Sequence, residues 1–164
     1  MATWLITGCW AGLGRALATA VLDRGETVVV TARDAAGAGE LARAYPGTAH
    51  AMPLDVTGHA QIRDAAGAAH ERFGAIDVLV NNAGHGYRAA AEEAAGDQAW
   101  ELFAISFFGP AALIQAVLPG MRERQFRTDR KVGNLSWARG SGPGPGAVIG
   151  PGQGRYGVTR PGSG

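Results

Sequence analysis

The sequence predicts a doubly wound α/β fold, a parallel sheet of about five strands with helices on both faces. Two patterns carry that expectation. Short apolar or β-branched runs alternate with segments whose apolar residues recur at helical spacing, from Thr3 to Ser136. Strands separated in this way by helices pair in parallel, and right-handed crossovers place the helices on both sides of the sheet. Ligands of such sheets sit beyond the C-terminal strand ends, so chemistry is sought at Thr7, Thr31, Leu54, Val80 and Ser136.

The first strand is Thr3-Trp4-Leu5-Ile6-Thr7, an apolar run suited to a strand buried on both faces. Leu13, Leu17, Ala20, Val21 and Leu22 follow at helical spacing, and Gly25 is the expected C-terminal stop. Residues 27–31 are β-branched throughout and form the second strand. Residues 35–45 make a weaker helix ended by Pro46-Gly47, and residues 49–54 a third strand. Ile62, Ala65, Ala66, Ala69 and Phe73 mark an amphipathic helix with Gly74 after it. Residues 76–80 form the fourth strand, residues 97–121 a long helix kinked at Pro110, and residues 131–136 a weak fifth strand.

Composition narrows the class. A 164-residue chain that is 46% hydrophobic and 18% charged suits one globular domain. A net charge of +1 creates no global field, so neither nucleic acid nor a membrane is expected as a partner. The single cysteine, Cys9, excludes an intrachain disulfide and fits a reducing, cytoplasmic setting. Residues 1–7 lack the basic-then-apolar pattern of a secretion signal. The most apolar run, residues 103–118, is interrupted by Ser106, Gly109, Pro110 and Gln115 and reads as a buried helix. His50, His59, His70 and His85 have no metal-ligand spacing, so no metal is expected. From Gly140 glycines arrive almost every second residue, and four of the eight prolines (Pro143, Pro145, Pro151, Pro161) fall there. Residues 1–137 therefore read as the folded domain and residues 138–164 as an irregular Gly/Pro-rich tail.

The chemistry begins at Thr7-Gly8-Cys9-Trp10-Ala11-Gly12-Leu13-Gly14, between the first strand and first helix. A helix start offers free N–H groups and the positive end of the macrodipole, a phosphate site where no side chain blocks the backbone. Gly8 suits the sharp turn, Gly12 a close approach of a pyrophosphate, and Gly14 tight packing of helix on strand. Cys9, near the helix start, is either activated by it or simply packed. The spacing Gly-x-x-x-Gly-x-Gly, with Asn81-Asn82-Ala83-Gly84 after the fourth strand and Leu54-Asp55-Val56 after the third, resembles the short-chain dehydrogenase/reductase family. The resemblance covers Met1 to about Trp137. It implies a Rossmann-like sheet, incomplete relative to the family. It also implies a cofactor site built from Gly8, Gly12, Leu13, Gly14, Asp55, Val56, Asn82, Ala83 and Gly84, and oxidoreduction of a small-molecule alcohol or ketone. Asp55 is expected to bond the adenine amino group and Val56 to cover the ring. A cap ahead of Thr57 is the other reading of Asp55, and an ordinary turn that of Asn81 and Asn82.

Cofactor choice follows from the second strand's end, Val30-Thr31-Ala32-Arg33-Asp34. An acidic residue near this point bonds the ribose hydroxyls of NAD, whereas an arginine accommodates the 2′-phosphate of NADP. Thr31 or Ala32 fills the acidic position and Arg33 follows, so the expected cofactor is NADP(H). A bidentate guanidinium suits a phosphate. Otherwise Arg33 is a surface charge beside Asp34. Trp10 departs from the small residues usual in the glycine turn. Its bulk either crowds the adenosine phosphates or points outward.

The resemblance also implies a tyrosine acid/base, a lysine four residues later, a substrate-binding serine and an asparagine on the long helix. A tyrosine titrates near ~10, so proton transfer around neutrality needs a nearby positive charge. The matches here are altered. Ser106 stands for the asparagine. Ser136 is the nearest hydroxyl to the catalytic serine, whose position holds Trp137. Tyr156 and Arg160 match the tyrosine motif with arginine replacing lysine, and Pro161-Gly162 follow at once. The catalytic set is thus Tyr156, Ser136, Arg160 and Ser106, in degraded form, and an inactive fragment or non-catalytic nucleotide-binding module is the alternative. The change of composition near Trp137 suggests a truncated or frame-shifted reading of a longer enzyme. Such an enzyme would oligomerise through the long helix.

Overall fold

Successive side chains along a buried strand point to opposite faces, and this divides the core of the protein in two. The computed structural model describes residues 1–86, 92, 95–123 and, for the backbone alone, 131–134. Its elements run β1 (Thr3–Ile6), α1 (Gly12–Asp23), β2 (Thr27–Ala32), α2 (Ala35–Ala44), β3 (Ala49–Pro53) and α3 (His59–Phe73). After them come β4 (Val78–Asn81), α4 (Gly96–Phe103), a π-helical turn (Ala104–Phe108), α5 (Gly109–Glu123) and β5 (Lys131–Asn134). The five strands pair in parallel in the order β3-β2-β1-β4-β5. On one face Leu5, Val29 and Leu79 pack with Ile62, Ala65 and Ala69 of α3 and with Leu113, Val117 and Met121 of α5. On the other, Ile6, Val28, Val30 and Val80 pack with Ala18, Val21 and Leu22 of α1 and Ala38 and Leu41 of α2. Helices on both faces explain why the strand sequences are apolar without alternation.

The expected elements are present, with shifted ends. β4 starts at Val78 rather than Ile76, and the preceding Asp77 is bonded to β1. Its backbone N–H donates to the Thr3 carbonyl at 2.8 Å, and its carboxylate accepts from the Thr3 N–H at 2.9 Å. α2 starts where Asp34 caps it by accepting from the Ala36 N–H at 2.9 Å. The last two residues of the expected fifth strand, including Ser136, lie outside the described residues, as does the tail.

The long helix differs from the simple Pro110 kink. A π-helical turn over Ala104–Phe108 precedes Gly109 and Pro110. Proline has no N–H for the carbonyl four residues earlier, here that of Ser106, and its ring crowds that oxygen. A widened turn relieves both effects and lets the helix continue. The span Gly96–Glu123 is apolar and long enough to cross a membrane by length and composition. Its inner face carries Ile105, Leu113, Val117 and Met121 into the core, while Trp100, Phe103, Phe107 and Phe108 are exposed. The expectation of a buried helix therefore holds for one face only.

Leu79 is fully buried on the interior strand β4. We expect Leu79→Ala to lower unfolding stability by about 2–5 kcal/mol through lost burial and the cavity left behind. Urea denaturation measures this as a lower midpoint at unchanged slope.

Candidate functional site

The chain passes from β1 to β2 on one side of the sheet and reaches β4 on the other, so a crevice opens between β1 and β4 at their C-terminal ends. Thr7 closes its base. This fully buried residue accepts, through Oγ1, the backbone N–H groups of Asn82 and Ala83, both at 2.9 Å, and donates to the Val80 carbonyl at 3.3 Å. A hydroxyl has one donor and two acceptor positions, and all three are used. Asn82 answers in the opposite direction. Its Nδ2 donates to the carbonyls of Thr7 at 2.9 Å and Gly8 at 3.1 Å. The end of β4 and the glycine turn are thereby locked together.

The lock dictates two glycines. Gly8 sits at φ 72, and a Cβ there would lie 2.9 Å from Ala83 Cα. A Cβ on Gly14 would strike the Asn82 amide and the Gly8 carbonyl. Gly14 therefore makes room for the Asn82 lock as well as for the close approach of α1 to the end of β1. The start of α1 is left bare. Its N-cap, Ala11, is extended and makes no side-chain cap bond, and the first turn has no acidic residue. These amides, at the positive end of the helix, fit a diphosphate.

A cleft of about 580 Å³ runs from this turn across the strand ends, a size suited to a small organic ligand. Its walls include Gly8, Leu13, Arg33, Asp55, Val56, Asn82, Ala83 and Gly84, eight of the residues expected from the sequence. Gly12 and Gly14 shape the turn without lining the cleft. Thr31 and Ala32 are now distinguished. Thr31 is buried with its hydroxyl donating to the Ile6 carbonyl at 3.0 Å, and Ala32 lines the cleft. Ala32 thus leaves open the space beside Arg33. Asp34 caps α2 through Oδ1, and Arg33 is exposed beside it on the cleft wall.

Asp55 fills neither of its expected roles alone. Oδ1 accepts the Thr57 N–H at 2.9 Å and hydroxyl at 2.7 Å, forming a local turn, while the N-cap of α3 is Gly58. Those bonds use one carboxylate oxygen, and the residue still stands on the cleft wall. The bonds from Thr57, with a smaller contribution from the charge of Arg33, hold the Asp55 carboxyl below its usual range. Cys9 is a packed thiol: burial pushes it up to about 12, and Sγ donates to the Ile6 carbonyl. Asn81 is buried at the end of β4 opposite Asn134 and is not on the wall.

Of the expected catalytic residues, Ser106 lies half-buried on the π-helical turn, and its neighbour Ile105 lines the cleft in its place. Tyr156, Ser136 and Arg160 lie outside the described residues. Sequence reasoning missed Ile105, Ala11 and His85 as wall residues. His85, one of the four histidines without metal-ligand spacing, is 3.8 Å from Glu101 at the rim. Only the register of the π turn decides between Ile105 and Ser106, and no residue type signals it. Among the described residues no group of His, Cys, Asp and Glu is arranged to hold a metal.

A parallel sheet with a bare-amide glycine turn at its switch point defines a Rossmann-like α/β domain. The short chain dehydrogenase family model matches residues 2–133, and the chain belongs to the short-chain dehydrogenase/reductase family. It is 37% identical over 124 residues to an oxidoreductase of Botryotinia fuckeliana, covering 74% of this chain and 45% of that protein. A short-chain dehydrogenase from Streptomyces avermitilis superposes with a TM-score of 0.76 at 43% identity, over 81% of this chain and 48% of that one. The 3-ketoacyl-(acyl-carrier-protein) reductase from Brucella melitensis, solved with NADH, gives 0.77 at 29% identity, over 81% of this chain and 56% of that one. The chain thus spans under half the length of the curated relatives it matches.

Thr7→Val keeps the shape of Thr7 but removes the acceptor of two backbone N–H groups. We expect a loss of about 1–3 kcal/mol in stability, and faster hydrogen exchange at the Asn82 and Ala83 amides. Asp55 gives a pH signature. Its folded pKa is lowered, so its ionised form favours the folded state at neutral pH. That contribution fades as pH falls from the unfolded value of 3.8 through the lowered folded one. NMR titration of the carboxyl should give a midpoint below 3.8, rising toward it in Thr57→Val.

Proposed function

We propose that this chain is the nucleotide-binding part of an NADP(H)-dependent oxidoreductase acting on an alcohol/carbonyl pair. The observation that carries the reading is the continuity of one cleft, from the bare turn at Gly8 to Arg33 at the end of β2. The α1 amides suit the diphosphate. Ala32 leaves space for a ribose, and Arg33, next in the chain, suits a 2′-phosphate by bidentate donation. Asp55 and Val56 suit the adenine end, and Ala83 and Gly84 the path toward the nicotinamide. When bound, the dinucleotide would supply or accept the hydride. The residues described here bind and orient it. Ser106, Ser136, Tyr156 and Arg160 remain the proposed substrate-side set, and the cytoplasm the proposed compartment. The exposed aromatic face of α4 and the π turn supports the long helix as the surface through which the protein assembles.

A second reading, nucleotide binding without turnover, has its own support. Arg160 stands where the family's tyrosine motif has lysine, and Trp137 where the family has the catalytic serine. NADPH oxidation with a generic ketone favours the enzyme, and binding without turnover favours the module.

Titration of the purified chain with NADPH and NADH, followed by fluorescence, tests the cofactor. NADPH should bind more tightly. Arg33→Ala should weaken NADPH by about 10- to 100-fold, the worth of charge-assisted hydrogen bonds, and leave NADH nearly unchanged. Equal affinities in the unaltered chain refute the role given to Arg33.

A further inference from the structure

Trp10 occupies the middle of the glycine turn, where its side chain is 59% exposed. It is nonetheless seated. The six-membered ring of its indole rests on Gly37 in α2, so closely that a Cβ at Gly37 would lie 2.8 Å from Cζ3 and nearer still to Cε3. The indole therefore bridges from the loop after β1 to the helix after β2. That bridge belongs to the wall of the cleft, together with Ala11 on one side and Ala32, Arg33 and Asp34 on the other. A large aromatic surface left to water is unfavourable unless something covers it. Here it is held in one place beside a cleft that ends at Asp55 and Val56.

We propose that Trp10 is a binding residue for the adenosine end of the nucleotide, an aromatic wall positioned by Gly37. The inference rests on the dinucleotide reading of the cleft but not on the choice of NADP over NAD. An aromatic wall acts on the adenine and ribose common to both, whereas Arg33 acts on the 2′-phosphate alone. Gly37 becomes a positioning residue. Its missing side chain is the seat of the indole, and alanine there should unseat the ring while favouring the helix.

The test uses the full chain and two fragments, ADP and 2′,5′-ADP, with binding by calorimetry and folding checked by circular dichroism. Trp10→Ala should weaken both fragments by roughly tenfold and by the same factor, within the range of base–aromatic stacking. Trp10→Phe should stay within about threefold of the unaltered chain. It should also abolish most of the fluorescence quenching that ADP causes, although three other tryptophans remain of the four. Gly37→Ala should weaken both fragments as Trp10→Ala does. Unchanged affinity in Trp10→Ala overturns the proposal, because the indole then merely covers Gly37. Tighter binding overturns it too, because the indole then obstructs the cleft. Failure of the Arg33 reading appears differently, as equal affinity of the unaltered chain for the two fragments while the common loss in Trp10→Ala persists. If the unaltered chain binds neither fragment, both readings fall.

Discussion

One threonine hydroxyl holds the site together. Thr7 Oγ1 satisfies the backbone of Asn82 and Ala83 while donating to Val80, so the turn after β1 and the turn after β4 move as one body. Without that tie, two loops at a sheet crevice would each need their own support. The Asn82 amide completes it by satisfying two carbonyls of the glycine turn. Buried polar networks of this kind are stable only when every member is satisfied, and Thr7 uses its whole capacity.

The consequences spread outward by sterics. Because the Asn82 amide lies against α1, position 14 has room only for glycine. Because the turn passes under Ala83, position 8 must lack a side chain and take a left-handed backbone. The bare amides of α1 are then presented at the crevice rather than turned into the core. The glycine turn and the loop lining the far half of the cleft are thus two sides of one hydrogen-bonded unit. The glycines follow from it.

The long helix is placed by a different constraint. Its inner residues bury themselves against β4 and α3, while Pro110 prevents regular hydrogen bonding around Ser106. The π turn is the compromise, and it rotates Ile105 rather than Ser106 onto the cleft wall. A backbone irregularity near the middle of the helix thus sets which side chain stands on the cleft wall. It also leaves Phe107 and Phe108 exposed, edge to face with one another.

The sequence by itself determined the alternation of strands and helices, the parallel sheet, and most of the cleft wall. Each of these is written in local terms: apolar runs, helical spacing, and glycines at a strand end. Arg33, Asp55 and Gly8 were legible because their residue types carry the chemistry. The tertiary structure alone decided what depends on contacts between segments distant in the chain. It assigned Gly14 to Asn82, 68 positions away in the numbering, put Ala32 rather than Thr31 on the cleft wall, and seated Trp10 on Gly37. It also replaced an expected kink with a π turn. The physical reason is the same throughout. A residue's type fixes what it can do, but its neighbours in space decide which of those possibilities is sterically and electrostatically open.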